Sequence, residues 1–528
     1  MKLMLDDIVS LSTEVKLVSY SENYRALHVI TGIIINLNAS SALILTILKQ
    51  KQYFKDILLK LNNLLPNEEI DQTVIQNFLI DLYCKGFINI EKNPSKPTVL
   101  LINPNTTNSK YNYRKENASP PLGLVLIGTV LADNDYNVRI IDMDIENLIQ
   151  DDILYRIRDI KFDYVGISMN FSMCANISLN IAKQIKDKYK NIPVIVGGNH
   201  ATFTSEDLLL EKCIDFVIRY NGHDTFNDLI KILERKNYNV ADLLECKGIA
   251  FRNEGKILST ANRDNMYDLD KIPLFDWNLI PLHLYSENQR WNLFTSVGCT
   301  NSCHFCSTSA FNGRCRIRQM SYPRIMEHIN NIYKYENKDY INLIFLDDAF
   351  TADKQRIIGL CSEIIDYRLK IKWACNARAD QVDEELLRFM KKANCSSIFF
   401  GVESCDKDVL LSTNKKLKVD LNQKFLEVKS HGIAITLSFI IGLPKETKNS
   451  LSKIEELIKS VRPYNAKFSF LVLYPGTEYY INKEKYGIRQ LITDWDKYER
   501  YMPYIETEAL SAEDQMEALI RLTESFYS

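Results

Sequence analysis

A chain of 528 residues is too long for one hydrophobic core, so two to four domains are expected. Its 46% hydrophobic and 25% charged residues are ordinary for a globular protein, and a formal net charge of −2 argues against a basic surface for nucleic acid or an anionic membrane. No apolar run is long enough to span a bilayer, and the N-terminal MKLMLDDIVSLSTEV lacks the apolar core of a secretory signal. The 12 cysteines stand singly except for one triad, which is no disulfide framework and implies a reducing, cytoplasmic compartment.

Residues 1–95 open with short β-like runs (KLVSY, ALHVI, GIIINLN), followed by two helical patterns. SSALILTILKQ is capped by Ser40 or Ser41, and TVIQNFLIDLYCKGFI is closed by Gly86. EKNPSKP reads as a linker. Residues 97–260 alternate apolar strands (TVLLINP, NVRIIDMD, YVGISM, PVIVGG, DFVIRY) with helices (LGLVLIGTVLADN, ANISLNIAKQIKDKY). That alternation predicts parallel βαβ units in a doubly wound sheet, which binds ligands at the carboxyl ends of its strands. Residues 291–480 repeat the alternation with LFTSVG, NLIFLDDAF, IKWACNARA, SIFFGVES, ITLSFIIGLP and KFSFLVLYPGT. Six such units suit a partial (β/α)6 barrel with its site on the loops after the strands. Residues 481–528 read as a charged helical extension.

The triad is Cys299, Cys303 and Cys306 in VGCTNSCHFC. Three thiolates on one loop hold three irons of a cubane 4Fe-4S cluster and leave the fourth iron open to a small chelating molecule. The competing reading is a zinc site completed by Cys315, although such sites usually pair two short Cys-x2-Cys hairpins and no second hairpin is present. Cys84, Cys174, Cys213, Cys246, Cys361, Cys375, Cys395 and Cys405 lie in or beside predicted elements, where free thiols pack as small apolar groups. No cysteine follows Cys405, so a single cluster is expected.

The triad, with FLDDAFTAD, WACNARAD, FFGVES and SFIIGLPKET at successive predicted strand ends, resembles the radical S-adenosylmethionine (SAM) enzymes, and in particular their cobalamin-dependent branch. The resemblance implies that the open iron binds SAM, which one electron splits to a 5′-deoxyadenosyl radical. It gives Asp347 or Asp348 to the methionyl ammonium, Arg378 to the carboxylate, and Glu403 with Ser404 to ribose and methionine. Ile441, Gly442 and Phe305 would surround the adenine, and Cys315 is the candidate hydrogen-atom donor.

The second segment resembles the cobalamin-binding domain that precedes many such barrels, through LINPN, PPLGLVLIGTVL, IIDMD, GISMNFS, IVGGNHATF and VIRYNGHDTF. Gly197 and Gly198 would let backbone approach the flat ligand, Ser168 would bond its nucleotide tail, and His200 would lie beside them. The cobalt-ligating Asp-x-His-x-x-Gly string of the cobalamin mutases is absent, since the region reads NPNTTNSK. As metal ligands, His200 and His223 are set aside in favour of ordinary hydrogen bonding.

The first segment resembles the PqqD-like recognition element of peptide-modifying enzymes, through GIIINLNASSALILTIL and VIQNFLIDLYCKGFIN. Such elements hold a leader peptide as an added β-strand. Together the resemblances imply a maturase of a ribosomally made precursor peptide, methylating an unactivated carbon and drawing electrons from a flavodoxin or ferredoxin. Two SAM would be consumed per methyl group. Crosslinking, ring formation or rearrangement without net methyl transfer is the alternative within the class, and an inactive peptide- or cobalamin-binding subunit the alternative outside it.

Overall fold

A computed structural model describes residues 8–12, 15–20, 23–28, 34–65, 71–84, 87–91, 96–105, 119–235, 237–263, 268–285, 290–312, 316–336, 340–498 and 502–527. Gly86 and Cys315 lie outside the described residues.

Among its described residues the N-terminal segment pairs two small antiparallel sheets with three helices. One sheet is a meander of Val15–Tyr20, Asn23–His28 and Ile34–Leu37. The other joins Gln52–Tyr53, Ile8–Leu11 and Ile88–Glu91. The first helix, Ala39–Ile47, is capped two residues before the first of the expected serines: Asn38 accepts at 2.7 Å from the Ser41 N–H. A carbonyl oxygen there does the work of a serine hydroxyl. A further helix, Phe54–Leu64, not among the two expected helical patterns, buries Phe54, Ile57 and Leu61 along one stripe.

All five strands expected in the second segment form, and all are parallel. They are β1 (Thr98–Asn103), β2 (Asn137–Asp142), β3 (Tyr164–Ser168), β4 (Val194–Gly197) and β5 (Phe216–Ile218). Two antiparallel strands, β6 (Ile249–Asn253) and β7 (Lys256–Ser259), extend the edge, giving the order β7-β6-β5-β4-β3-β1-β2. The order reverses between β1 and β3, and a crevice opens there at the carboxyl ends. Helix α1 (Leu122–Asp133) is apolar nearly all round because it is covered on two sides. It packs on the sheet and against the connector, where Thr129 Oγ1 accepts from the Asp276 N–H at 3.0 Å.

The third segment closes six parallel strands in the order β8-β11-β12-β13-β14-β15. They are β8 (Trp291–Leu293), β11 (Ile341–Phe345), β12 (Ile371–Ala377), β13 (Cys395–Glu403), β14 (Ala434–Ile441) and β15 (Asn465–Phe470). LFTSVG does not form one strand. Only its first residue continues β8, and β9 (Ser296–Cys299) leaves to pair with β10 (Arg316–Gln319). The break falls where Asp347 takes the Thr295 N–H and hydroxyl and the Ser296 hydroxyl, each at 2.6 Å. Those groups are then lost to a barrel ladder.

Alternation along β14 is regular: Ile435, Leu437, Phe439 and Ile441 are buried, whereas Thr436, Ser438 and Ile440 are half-buried. The buried set packs with the surrounding helices, including Phe425, Val428, Ile454 and Ile458. The other set faces the lumen. The C-terminal extension is less helical than expected. A ribbon of Arg489–Gln490 and Ile505–Glu506 precedes the helix α2 (Ala512–Tyr527), which lies against β15 and the helix Lys448–Val461. No helix among the described residues is long and apolar enough to cross a membrane.

Candidate active site

The cysteine loop joins β9 to the helix Ser307–Asn312, and its backbone is pinned from outside. The His304 N–H donates to the Thr413 carbonyl at 3.0 Å, the Tyr479 N–H donates to the His304 carbonyl at 3.2 Å, and Asn414 Nδ2 donates to the Ser302 carbonyl at 3.0 Å. The His304 ring stands against Tyr479 and Tyr486 at centroid distances of 5.7 and 5.4 Å. The three cysteines are free and half-buried. Burial pushes the Cys303 thiol up to about 11, the Lys415 charge pulling it back and Cys306 adding to the rise. A bound cation reverses that balance and favours the thiolate.

The strand ends place the other predicted residues unevenly. Asp347 is fully buried and spent: its carboxylate takes three donors, and Arg356 NH1 lies 3.9 Å away. It therefore braces the strand before the loop and is not turned toward a ligand. Asp348 is the one aimed at the site. It accepts from the Gly298 N–H and the Thr308 hydroxyl, both at 3.0 Å, and lines a cavity.

Arg378 is also engaged. Its guanidinium forks onto Asp380 at 3.0 and 2.8 Å and donates to the Lys416 carbonyl at 2.9 Å, as a local ion pair would. Glu403 ends β13 with φ 66°, a left-handed conformation that is costly for a non-glycine residue and collects at functional sites. Its carboxylate folds back over Gly401, where an added Cβ would come within 2.6 Å of Oε1, and it accepts from Lys415 Nζ at 2.8 Å. Ser404 is fully buried and accepts from the Asp406 N–H at 3.2 Å.

Ile441 belongs to the helix-facing set, so it is not the residue beside the expected adenine. Ile440 faces the lumen and shares a cavity of about 620 Å³ with Phe305. Gly442 has φ 90°, and the space beside its Cα is taken by Gln515 of α2, 2.5 Å from an added Cβ.

The second cavity, about 380 Å³, lies where the two sheets face each other. Ser168, Gly197 and Gly198 line it from the doubly wound sheet, and Phe294, Val297, Leu346 and Asp348 from the barrel. Ser168 is buried and accepts from Asn170 Nδ2 at 3.2 Å. The glycine at 198 is required for a further reason: at φ 117° an added Cβ would sit 2.8 Å from the Met169 backbone. His200 is not among the residues lining this cavity. Its Nδ1 is 2.9 Å from Ser172 Oγ, its ring meets Trp495 edge-on, and burial pushes it down to about 4. It is a packed, neutral histidine that ties the C-terminal extension to this segment.

Lys415 went unnoticed in the sequence because a KK pair usually reads as solvated. The buried pair Lys415–Glu403 stands near Cys303. Of the remaining cysteines, Cys174, Cys246, Cys361, Cys375 and Cys395 are buried and Cys213 and Cys405 partly so.

The model of the B12 binding domain matches residues 115–230, and that of the radical SAM superfamily matches residues 293–458. An uncharacterized methyltransferase of Pyrococcus horikoshii is 30% identical over 437 residues, 81% of this chain and 92% of that protein. The chain belongs to the cobalamin-dependent radical SAM enzymes. An anaerobic magnesium-protoporphyrin IX monomethyl ester cyclase of Rubrivivax gelatinosus is 26% identical over 419 residues, 77% of this chain and 73% of that one. The structure of the radical SAM methyltransferase TsrM of Kitasatospora setae, with cobalamin and a [4Fe-4S] cluster bound, shares the fold at a TM-score of 0.64 and 14% identity, over 82% of this chain and 88% of that chain.

The family's cofactors are a 4Fe-4S cluster, SAM and cobalamin, and the residues present fit them. Three free thiols share one externally braced loop. The inter-sheet cavity has an apolar wall of Leu101, Ile127, Ile195, Ile218 and Phe226, interrupted by glycines. At Gly123 an added Cβ meets nothing within 4 Å. Gly123→Leu should therefore raise helix propensity by about 1 kcal/mol while filling this cavity. The expected outcome is lower cobalamin content by absorbance with an unchanged or higher melting temperature. Full cobalamin loading would refute this wall as the binding surface.

Proposed function

We propose that this enzyme methylates an unactivated carbon of a ribosomally made peptide held by its N-terminal module. The observation that carries the chemical half is the double engagement of Asp348: it lines the cavity between the two sheets, and its carboxylate holds the N–H of Gly298, the residue just before the cluster cysteine Cys299. When bound, the cofactors supply a hydrogen-abstracting radical and a transferable methyl group. The protein's own work is to position them. Glu403 and Lys415 present charge beside Cys303, Asp348 fixes the loop through Gly298 and Thr308, and Phe305 with Ile440 offers an apolar wall to the nucleoside. A flavodoxin or ferredoxin delivers the electron. Modules of residues 1–95, 97–260, 291–480 and 481–528 divide these tasks.

The peptide half is supported by the meander of residues 15–37. Among the described residues its outer strands, Val15–Tyr20 and Ile34–Leu37, each have one edge without a strand partner, Val18 and Ile34 are exposed, and the helix Ala39–Ile47 packs beside it. An extended peptide adds to such an edge by backbone hydrogen bonds. Deleting residues 1–95 should weaken binding of the precursor peptide about tenfold or more while sparing SAM cleavage; equal peptide affinity would refute capture.

The deciding experiment uses enzyme reconstituted anaerobically with iron, sulfide and cobalamin, then reductant, methyl-deuterated SAM and the short peptide encoded beside the gene. One labelled methyl group on the peptide supports the reading. Loss of hydrogens without label favours the cyclase-like alternative, for which the 26%-identical cyclase speaks. An unchanged peptide with continued 5′-deoxyadenosine formation would redirect the search to small molecules.

A further inference from the structure

The segment that follows the glycine pair at the inter-sheet cavity also grips the cysteine loop. Gly198 lines the cavity, and the next residue, Asn199, begins the short helix Asn199–Phe203. Asn199 Nδ2 donates to Ser307 Oγ at 3.0 Å. Ser307 directly follows the cluster cysteine Cys306 and begins the helix Ser307–Asn312. One amide thus joins the wall of one cofactor site to the loop of the other, across 108 residues of chain.

The helix Asn199–Phe203 is held at its other points as well. Thr202 Oγ1 accepts from the Tyr220 N–H at 2.8 Å, the His200 ring meets Trp495, and Phe203 fills the space beside Gly476 of the barrel. It has little freedom to move without either sheet. The fold itself gains little from the Asn199 carboxamide: its Oδ1 is buried and meets no donor among the described residues, and a buried acceptor without a donor costs stability. What the side chain does supply is the bond to Ser307.

A cluster bound to Cys306 fixes the residue next to it. Through Ser307 it fixes the Asn199 amide and the glycine wall that precedes it. A surface already held in its bound arrangement binds its ligand more tightly. The relation is reciprocal, so cobalamin favours the cluster by the same factor. We propose that Asn199 is a positioning residue that couples cobalamin binding to the cluster loop, so that the methyl donor and the radical source are held in register. The proposal rests on cobalamin filling the inter-sheet cavity and is independent of the peptide.

The test titrates full-length protein with hydroxocobalamin by equilibrium dialysis, once cluster-free and once reconstituted anaerobically with iron and sulfide, with iron content measured in each. In the native protein the cluster should tighten hydroxocobalamin binding about fivefold. Asn199→Ala keeps the helix, because alanine favours it, and should retain iron while that ratio falls to about one. Ser307→Ala should do the same, the double variant should lose nothing more, and Ser307→Thr, which keeps the hydroxyl, should keep the ratio. A merely structural Asn199 would weaken binding equally in both states and leave the ratio at its native value. That result overturns the proposal, as does equal binding by the native protein with and without its cluster. Gly123→Leu separates a misplaced cavity from absent coupling: it should weaken hydroxocobalamin binding in both states, and unchanged binding would move cobalamin away from Gly198 and overturn the proposal with it.

Discussion

Replacing Cys306 by alanine should abolish both the iron–sulfur absorbance and 5′-deoxyadenosine formation, leaving the fold intact. Two thiolates, Cys299 and Cys303, then remain on the loop, and two protein ligands hold a cubane poorly. The fold should survive because the loop is fastened by hydrogen bonds to Thr413, Asn414 and Tyr479, none of which needs the Cys306 sulfur. Far-ultraviolet circular dichroism and iron content, measured together, separate the two effects. Wild-type turnover in the variant would remove the cluster assignment. Loss of fold together with loss of iron would instead mean that metal and structure are coupled here, as in small zinc domains.

The large features were legible because periodicity is legible. Five apolar runs became five parallel strands, and the triad marked its loop by spacing alone. What escaped was local and side-chain in nature. Ile441 and Ile440 differ by one residue, and a period of two sends one to the helices and the other to the lumen. Counting alternation outward from the buried Phe439 would have chosen Ile440. Arg378 and Asp380 stand two apart in RAD, and the chain simply closes that pair. The Asp347–Asp348 pair shows why identity is not enough: the two carboxylates follow the end of β11 where the chain enters a turn, and one is buried while the other faces the cavity. Lys415 could not be found from sequence, since only the fold brings it to Glu403.

The site's position follows from two topologies meeting. A doubly wound sheet offers its ligand crevice at the strand carboxyl ends, and so does a barrel. Placing those two ends face to face makes one chamber between them. The connector enforces this: Tyr285 donates to Asp142 at the end of β2 at 2.5 Å, and Trp277 packs edge-on against Trp291, which opens the barrel. Rigid placement of this kind is what reactive intermediates need, because a small displacement of reacting groups is costly.

Asp347 carries the second large effect, and the reason is support rather than contact with SAM. Asp347→Asn should destabilise the barrel by about 3–5 kcal/mol, the cost of leaving a buried charge without its partner. The stranded charge is Arg356, which is also buried and donates to the Thr295 carbonyl at 2.8 Å and to its hydroxyl at 2.5 Å. Thr295 and Ser296 lead directly into the strand that ends at Cys299, so their release should loosen the loop and lower iron content. The double variant Asp347→Asn, Arg356→Met isolates the electrostatic share, because it removes the orphaned charge as well. Partial recovery of the denaturation midpoint in the double variant is expected. In the fraction that retains its cluster, the KM for SAM should match the native enzyme. A raised KM with normal stability and normal iron would return Asp347 to the SAM site and defeat the bracing role.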